Sequence, residues 1–159
     1  MGGRCVGGLG SPPMSLVDVL TSDPDRKARV VADTLQLIEA EVADKKGLSG
    51  MAIRTGYGVI KNFRPDFLQR VVTDLLPRFA AAVEDVHAEA VSGGVPIKAH
   101  FVANQGRVAD ALLAITDGVA AKSKNRVVKG AYDRLRKIAK DHVIAAVPRL
   151  GAMVEKHAS

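Results

Sequence analysis

Two aspartates and two tyrosines are the residues of this 159-residue chain whose types and placement first suggest chemistry. Asp33 and Asp110 occupy the same place in two similar stretches, Val31-Ala32-Asp33-Thr34-Leu35 and Val108-Ala109-Asp110-Ala111-Leu112. Paired carboxylates serve metal binding or acid–base work, but both uses need a histidine or second acid at helical spacing, and neither aspartate has one. Local ion pairing is the better reading. Arg29 lies four residues before Asp33 and Arg107 three before Asp110, both neighbour spacings on a helix. Tyr57 and Tyr132 stand among small residues (Gly56 and Gly58; Gly130 and Ala131), which suggests rings wedged where helices approach closely, each hydroxyl in need of a partner. No base near either tyrosine points to proton transfer.

The other reactive residue types form no site. His87, His100, His142 and His157 lack any metal-ligand spacing, and His87-Ala88-Glu89 has only the His-x-Glu fragment of a zinc deaminase, with no cysteine pair to complete it. Gly47-Leu48-Ser49-Gly50 is followed by no Gly-Lys-Ser/Thr and preceded by no strand, so it is not a phosphate loop. No serine sits in a Gly-x-Ser-x-Gly context. No catalytic residue, metal or cofactor is assigned.

Charge is the one asymmetric signal. Residues 22–91 hold 10 Lys/Arg against 11 Asp/Glu, whereas residues 92–159 hold 12 against 5. The excess concentrates between Lys122 and Lys140, where eight basic residues face one acid, Asp133. On a helix starting at Arg126, the residues Lys129, Arg136, Lys137 and Lys140 share a face, opposite Val128, Tyr132, Leu135 and Ile138. Arg126, Lys129, Arg136, Lys137 and Lys140 are the candidate contacts to an anionic partner: an acidic protein, nucleic acid or an anionic membrane surface. A solvated helix face is the plain alternative.

Composition bounds the rest. Hydrophobic residues at 47% and charged residues at 25% are globular proportions. Aromatics at 4%, with no Trp, disfavour reading of nucleic-acid bases by stacking. No apolar run approaches the roughly 18 residues of a membrane span, the N-terminus lacks a signal-peptide core, and the single Cys5 forms no internal disulfide. A cytoplasmic location is expected. Residues 1–13, with five glycines and two prolines, read as a flexible tail, and Met14 is a candidate biological start.

The elements that must position these residues come from an internal repeat. At an offset of 77, residues 31–46 match 108–123 with eight of 16 identical. A thinner match at 75 sets Tyr57 over Tyr132 and Lys61 over Arg136, and at 71 residues 77–84 match 148–155 with five of eight identical. The blocks keep their order, so residues 14–159 read as a single all-α domain made of two copies, about 22–91 and 97–157, joined through Ser92-Gly93-Gly94-Val95-Pro96.

Each copy is expected to be three helices. The first is capped by Ser22 or Asp23 with Pro24 in its first turn. Val31, Leu35, Ile38 and Val42, spaced 4-3-4, should be buried, as should Val108, Leu112, Ile115 and Val119 in the second copy. Gly47 and Gly50 break the chain before the next helix and Pro65 ends it. The third helices carry Leu68, Val72, Leu75, Phe79 and Val83, and Val143, Val147, Leu150 and Val154. Pro77 and Pro148 inside them suggest a kink or a break. A short helix near Leu16–Leu20 should cover one end, and the two units should pack about a pseudo-twofold axis as a helical bundle.

Asp33 and Asp110, Gly47-Leu48-Ser49-Gly50, Ile53-Arg54-x-x-Tyr57 and Pro148-Arg149-x-x-Ala152-x-Val154-Glu155-Lys156-His157 resemble a family of small actinobacterial proteins of unknown function, from Met14 onward. The resemblance implies a cytoplasmic helical domain and transfers no site. The expected function is a non-catalytic binding or scaffold module that contacts a protein or acidic partner through the basic second copy. The alternatives are nucleic-acid or anionic-membrane binding, and an enzyme whose site lies between the copies.

Overall fold

The computed structural model describes residues 15–63 and 66–158, so the expected tail at 1–13, Met14 and Pro65 lie outside the described residues. These residues form eight helices and no strand: α1 (Leu16–Thr21), α2 (Pro24–Asp44), α3 (Gly47–Phe63), α4 (Phe67–Ala82), α5 (Glu84–Ser92), α6 (Ile97–Ala103), α7 (Gln105–Ala121) and α8 (Arg126–Ala158). The class is all-α, as the 3.6-residue periodicity implies.

Local sequence sets the ends. Ser15 caps α1 by accepting from the Asp18 N–H at 3.1 Å, and Asp23 caps α2 by accepting from the Asp25 N–H at 3.0 Å, with Pro24 behind it. Gly47 opens α3 at φ 75, and Gly94 turns the α5–α6 link at φ 64. Glu84 reaches back from the start of α5 to accept the Leu16 N–H at 2.6 Å, tying α1 to the α4–α5 junction.

Three expectations are corrected. The second half does not hold two separate helices after α7: one 33-residue helix, α8, runs through both expected segments. Neither Pro77 nor Pro148 breaks its helix, since α4 and α8 continue past them. An interior proline costs about 3 kcal/mol, and each lies beside buried residues of its own helix (Leu75, Leu76 and Ala80; Val147, Gly151 and Val154) whose burial offsets that cost. The chain breaks instead at Val83, between α4 and α5. Finally, Val31 and Val108 are buried, but Leu35, Ile38, Val42, Leu112, Ile115 and Val119 are only half-buried.

The reason is an uneven core. Leu16, Leu20, Val30, Val31, Val72, Leu76, Val83, Val86, Phe101, Val108, Val147 and Val154 form one cluster. It lies where α1, α4, α5 and α6 meet the N-terminal turns of α2 and α7 and the C-terminal half of α8. Away from it, α3 buries only Gly50. An apolar cavity of about 200 Å³ lies among Ile60, Phe67, Leu68, Val119, Val128 and Tyr132.

Close helix approach uses two glycines. A Cβ at Gly151 would stand 3.0 Å from the Lys98 Cα and 3.2 Å from the Phe101 Cβ, so α6 rests on bare backbone of α8. At Gly56 it would meet the Leu135 side chain at 2.8 Å, where α3 crosses α8. Gly130, by contrast, has nothing within 4 Å of that position. Gly130→Ala should therefore stabilise the chain by about 0.5–1 kcal/mol through helix propensity. Gly151→Val should destabilise it by about 1–3 kcal/mol through overpacking against α6. Urea melts followed by circular dichroism check both, and a neutral Gly151→Val would mean that α6 does not sit there.

Candidate functional site

The five cations picked out in the sequence lie in the N-terminal half of α8, but they do not behave alike. Arg136 is half-buried and its Nε donates to Asp117 Oδ1 of α7 at 2.8 Å. Lys140 Nζ lies 3.0 Å from Asp110 Oδ1, also on α7. These two are inter-helix ties. Arg126, Lys129 and Lys137 are exposed and have no ion-pair partner among the described residues. Arg134 is also exposed, its Nε donating to the Gly130 carbonyl at 3.4 Å. Four exposed cations on about three turns of one helix, with Asp133 as the one acid between them, make a basic face that forms no ion pair among the described residues.

Asp33 and Asp110 are both ion-paired, but with other partners than the expected Arg29 and Arg107. Asp110 pairs with Lys140, while Asp33 Oδ2 takes Lys156 Nζ at 2.9 Å and His157 Nε2 at 2.6 Å. Arg107 instead grips Glu89 with both terminal nitrogens at 2.9 Å. The aspartates point across to α8, where long cationic side chains reach them, rather than along their own helices. Hydrogen bonds from Lys156 and then His157 hold the Asp33 carboxyl below its ordinary pKa.

The tyrosine hydroxyls show what the sequence reading missed. Tyr57 donates to Glu39 Oε1 at 2.8 Å, and Lys61, one turn on, reaches the same oxygen at 2.5 Å. Tyr132 donates to Asp117 Oδ1 at 2.5 Å, and Arg136, again one turn on, holds the same atom. In both places a Tyr and a cation four residues later clasp one carboxylate on the preceding long helix. Lys61, then Tyr57, pulls the Glu39 pKa below its ordinary value, and Arg136, then Tyr132, does so for Asp117. Burial, reinforced by the adjoining carboxylate, raises both phenols, Tyr132 to about 12, so both hydroxyls stay protonated at neutral pH and donate to those carboxylates. Equivalence of the tyrosines and of Lys61 with Arg136 was visible in the repeat. The acids were hidden because Glu39 and Asp117 fall one residue out of its register.

The place where an enzyme site between the two halves would be sought is the Asp33–His157 pair. His157 is 7% exposed at its side chain and lies by an open polar cleft of about 380 Å³ with Arg26, Arg29 and Lys156. No Ser, Thr or Cys side chain hydrogen-bonds to this pair among the described residues. Nor do three His, Cys, Asp or Glu among the described residues gather there within reach of a metal. The arrangement locks α8 onto α2.

A last surface adjoins the basic face. α3 and α8 enclose an apolar groove of about 330 Å³ between Leu48, Met51, Ala52 and Val59 on one side and Ala131 and Leu135 on the other, with Arg134 at its edge. Leu48 is 87% and Met51 56% exposed. Both charged residues of α3 are turned away from it, Lys61 to Glu39 and Arg54 to the Lys45 carbonyl at 2.5 Å.

The chain belongs to a family of unknown function (DUF6918), matched over residues 16–158. No curated protein and no solved structure matches it. No helix among the described residues is long and apolar enough to cross a membrane.

Because the folded-state pKa values of Glu39 and Asp117 are depressed, the stability they contribute is fully present above the ordinary carboxylate range and is lost as pH falls through the depressed values. Glu39→Gln with Asp117→Asn should lower the melting temperature at about pH 7, and the gap from the parent should close on acidification below about pH 4. Tyr57→Phe or Tyr132→Phe should each cost about 0.5–1.5 kcal/mol. A melting-temperature gap that stays constant down to pH 2 would show that these clasps contribute nothing.

Proposed function

We propose that this protein is a non-catalytic helical binding module that docks an acidic protein partner through the basic N-terminal half of α8. The observation that carries the reading is the division of labour among its cations. Arg136 and Lys140 are bound to Asp117 and Asp110, whereas Arg126, Lys129 and Lys137 stand exposed and unpaired. Fold stability accounts for the first pair and not for the other three, because exposed like charges along one helix repel one another and add nothing to packing. Scarcity of aromatic residues, at 4% of the chain, favours a protein partner over single-stranded nucleic acid. A cytoplasmic location is part of the proposal and rests on the sequence alone.

We also read the chain as two related units arranged about a pseudo-twofold axis. Support comes from the paired clasps, Glu39–Tyr57–Lys61 between α2 and α3 and Asp117–Tyr132–Arg136 between α7 and α8. The units have diverged in use: the first copy ties down both cations of α3, and the second leaves three of α8 free.

Two charge-reversal variants separate binding from folding. Arg126→Glu, Lys129→Glu and Lys137→Glu together should keep the melting temperature of the parent and lose retention on a polyglutamate resin at low salt. Arg136→Glu with Lys140→Glu should lower the melting temperature, since each then faces an aspartate. Equal retention of the first variant and the parent would overturn the proposal. Tight duplex DNA binding whose log–log salt slope drops by about 0.9 for each contact removed, without retention on polyglutamate, would replace the acidic protein by nucleic acid.

A further inference from the structure

Seven large apolar side chains are exposed among the described residues, and four of them, Leu48, Met51, Val59 and Val127, belong to α3 and the first turn of α8. Their spacing on α3 is helical. Leu48, Met51, Ala52, Thr55 and Val59 fall at i, i+3, i+4, i+7 and i+11, and so form one stripe. That outward stripe carries no charge, and the helix contains no acid at all. Solvent-facing sides of surface helices ordinarily carry charged and polar residues, so an uncharged one with Leu48 at 87% exposure is a face awaiting cover.

The surface is also concave. Because α3 rests on Leu135 at the bare Gly56, the two helices leave between them the groove of about 330 Å³. A groove between two helices suits inserted side chains of a third helix better than it suits a flat lipid surface. Its border on the α8 side is basic: Arg134 lines it, and Arg126 and Lys137 lie on the adjoining strip of the helix, against Asp133 alone. A second copy seated there about a twofold axis would set these cations against their own equivalents, which opposes self-association.

We infer that the α3–α8 groove receives an amphipathic helix of a partner protein, with apolar residues at i, i+3 or i+4 and i+7 seated against Leu48, Met51 and Leu135 and with acidic residues on the flank facing Arg126, Arg134 and Lys137. This rests on the proposed acidic partner and adds its form and its seat: the groove supplies affinity by burying apolar surface, and the cations select orientation and sign.

The test uses the full chain and two labelled synthetic helical peptides. Both carry the same leucine stripe, one flanked by glutamates and the other by lysines, and binding is followed by fluorescence anisotropy. The acidic peptide should bind and the basic one should not. Leu48→Ser with Met51→Ser, at positions too exposed to disturb the fold, should weaken the acidic peptide more than about tenfold and leave retention on polyglutamate unchanged. Reversal of Arg126, Lys129 and Lys137 should abolish both. Peptide binding that survives Leu48→Ser with Met51→Ser would overturn the groove and leave the basic-surface proposal standing, as would retention on polyglutamate with no peptide binding. Loss of retention and of peptide binding in the parent would sink both. A dimer in sedimentation that Leu48→Ser with Met51→Ser dissociates would assign the groove to a second copy. Binding to phosphatidylserine vesicles that depends on these two residues, without peptide binding, would assign it to a membrane. Either result overturns the inference.

Discussion

The fold depends on one helix being a wall for five others. α8 packs against α1, α2, α3, α6 and α7, and 33 residues of unbroken helix must supply a different surface to each. Gly151 lets α6 lie on its backbone, and Leu135 fills the space left by Gly56 of α3. Tyr132, Arg136 and Lys140 tie it to α7, and Arg149, Lys156 and His157 bind Glu41, Asp44 and Asp33 of α2. A helix used on so many sides has a broken apolar pattern, because no single stripe faces a single core. The cost of Pro148 inside it is accepted for the same reason: breaking the helix there would separate the ties at its two ends.

Long polar side chains take over where apolar packing thins. The continuous core occupies one end of the molecule, and at the other α3 buries only Gly50. There α2 and α3 are joined by the Glu39–Tyr57–Lys61 clasp and by Arg54, which closes the C-terminal end of α2 through the Lys45 carbonyl. Such contacts are directional and modest in energy beside apolar burial. They fix where α3 lies without hiding its outer face, which leaves an apolar stripe in water beside a basic strip. The surface proposed for binding is thus a consequence of where the core stops.

Much of this could be read from the sequence, and the failures have physical causes. Helical class, the short α1, the Asp23–Pro24 start of α2 and the Gly47 break followed from local rules, which act within a few residues. The fusion of two expected segments into α8 did not: the second copy was expected to repeat the three helices of the first, in which Pro65 was to end the second helix, and no proline stands at the corresponding place in α8. Partner choice failed similarly: Arg29 and Arg107 were nearest along the helix, but Asp33 and Asp110 face α8, and only the fold brings Lys156, His157 and Lys140 to them. The expected burial of Leu35, Ile38, Leu112 and Ile115 was right in direction and too strong in degree, since periodicity says which side faces inward and not how deep the interior is.

The five candidate cations illustrate how far a charge pattern goes. Sequence spacing assigned Arg126, Lys129, Arg136, Lys137 and Lys140 to one stripe, and they do share a stretch of α8. Whether a cation is available depends on the acids across from it, and those come from α7. Asp117 meets Arg136 and Asp110 meets Lys140 where α7 packs on α8. The ties therefore claim Arg136 and Lys140, and Arg126, Lys129 and Lys137 stay free. A surface helix of mixed charge would have neutralised that remainder at little cost by exchanging a lysine for a glutamate, as α2 does with Glu39, Glu41 and Asp44. α8 has only Asp133 there. The retained positive charge lies beside α3, whose Leu48–Val59 stripe is uncharged and exposed, and the acidic, amphipathic partner proposed above would answer both features at once.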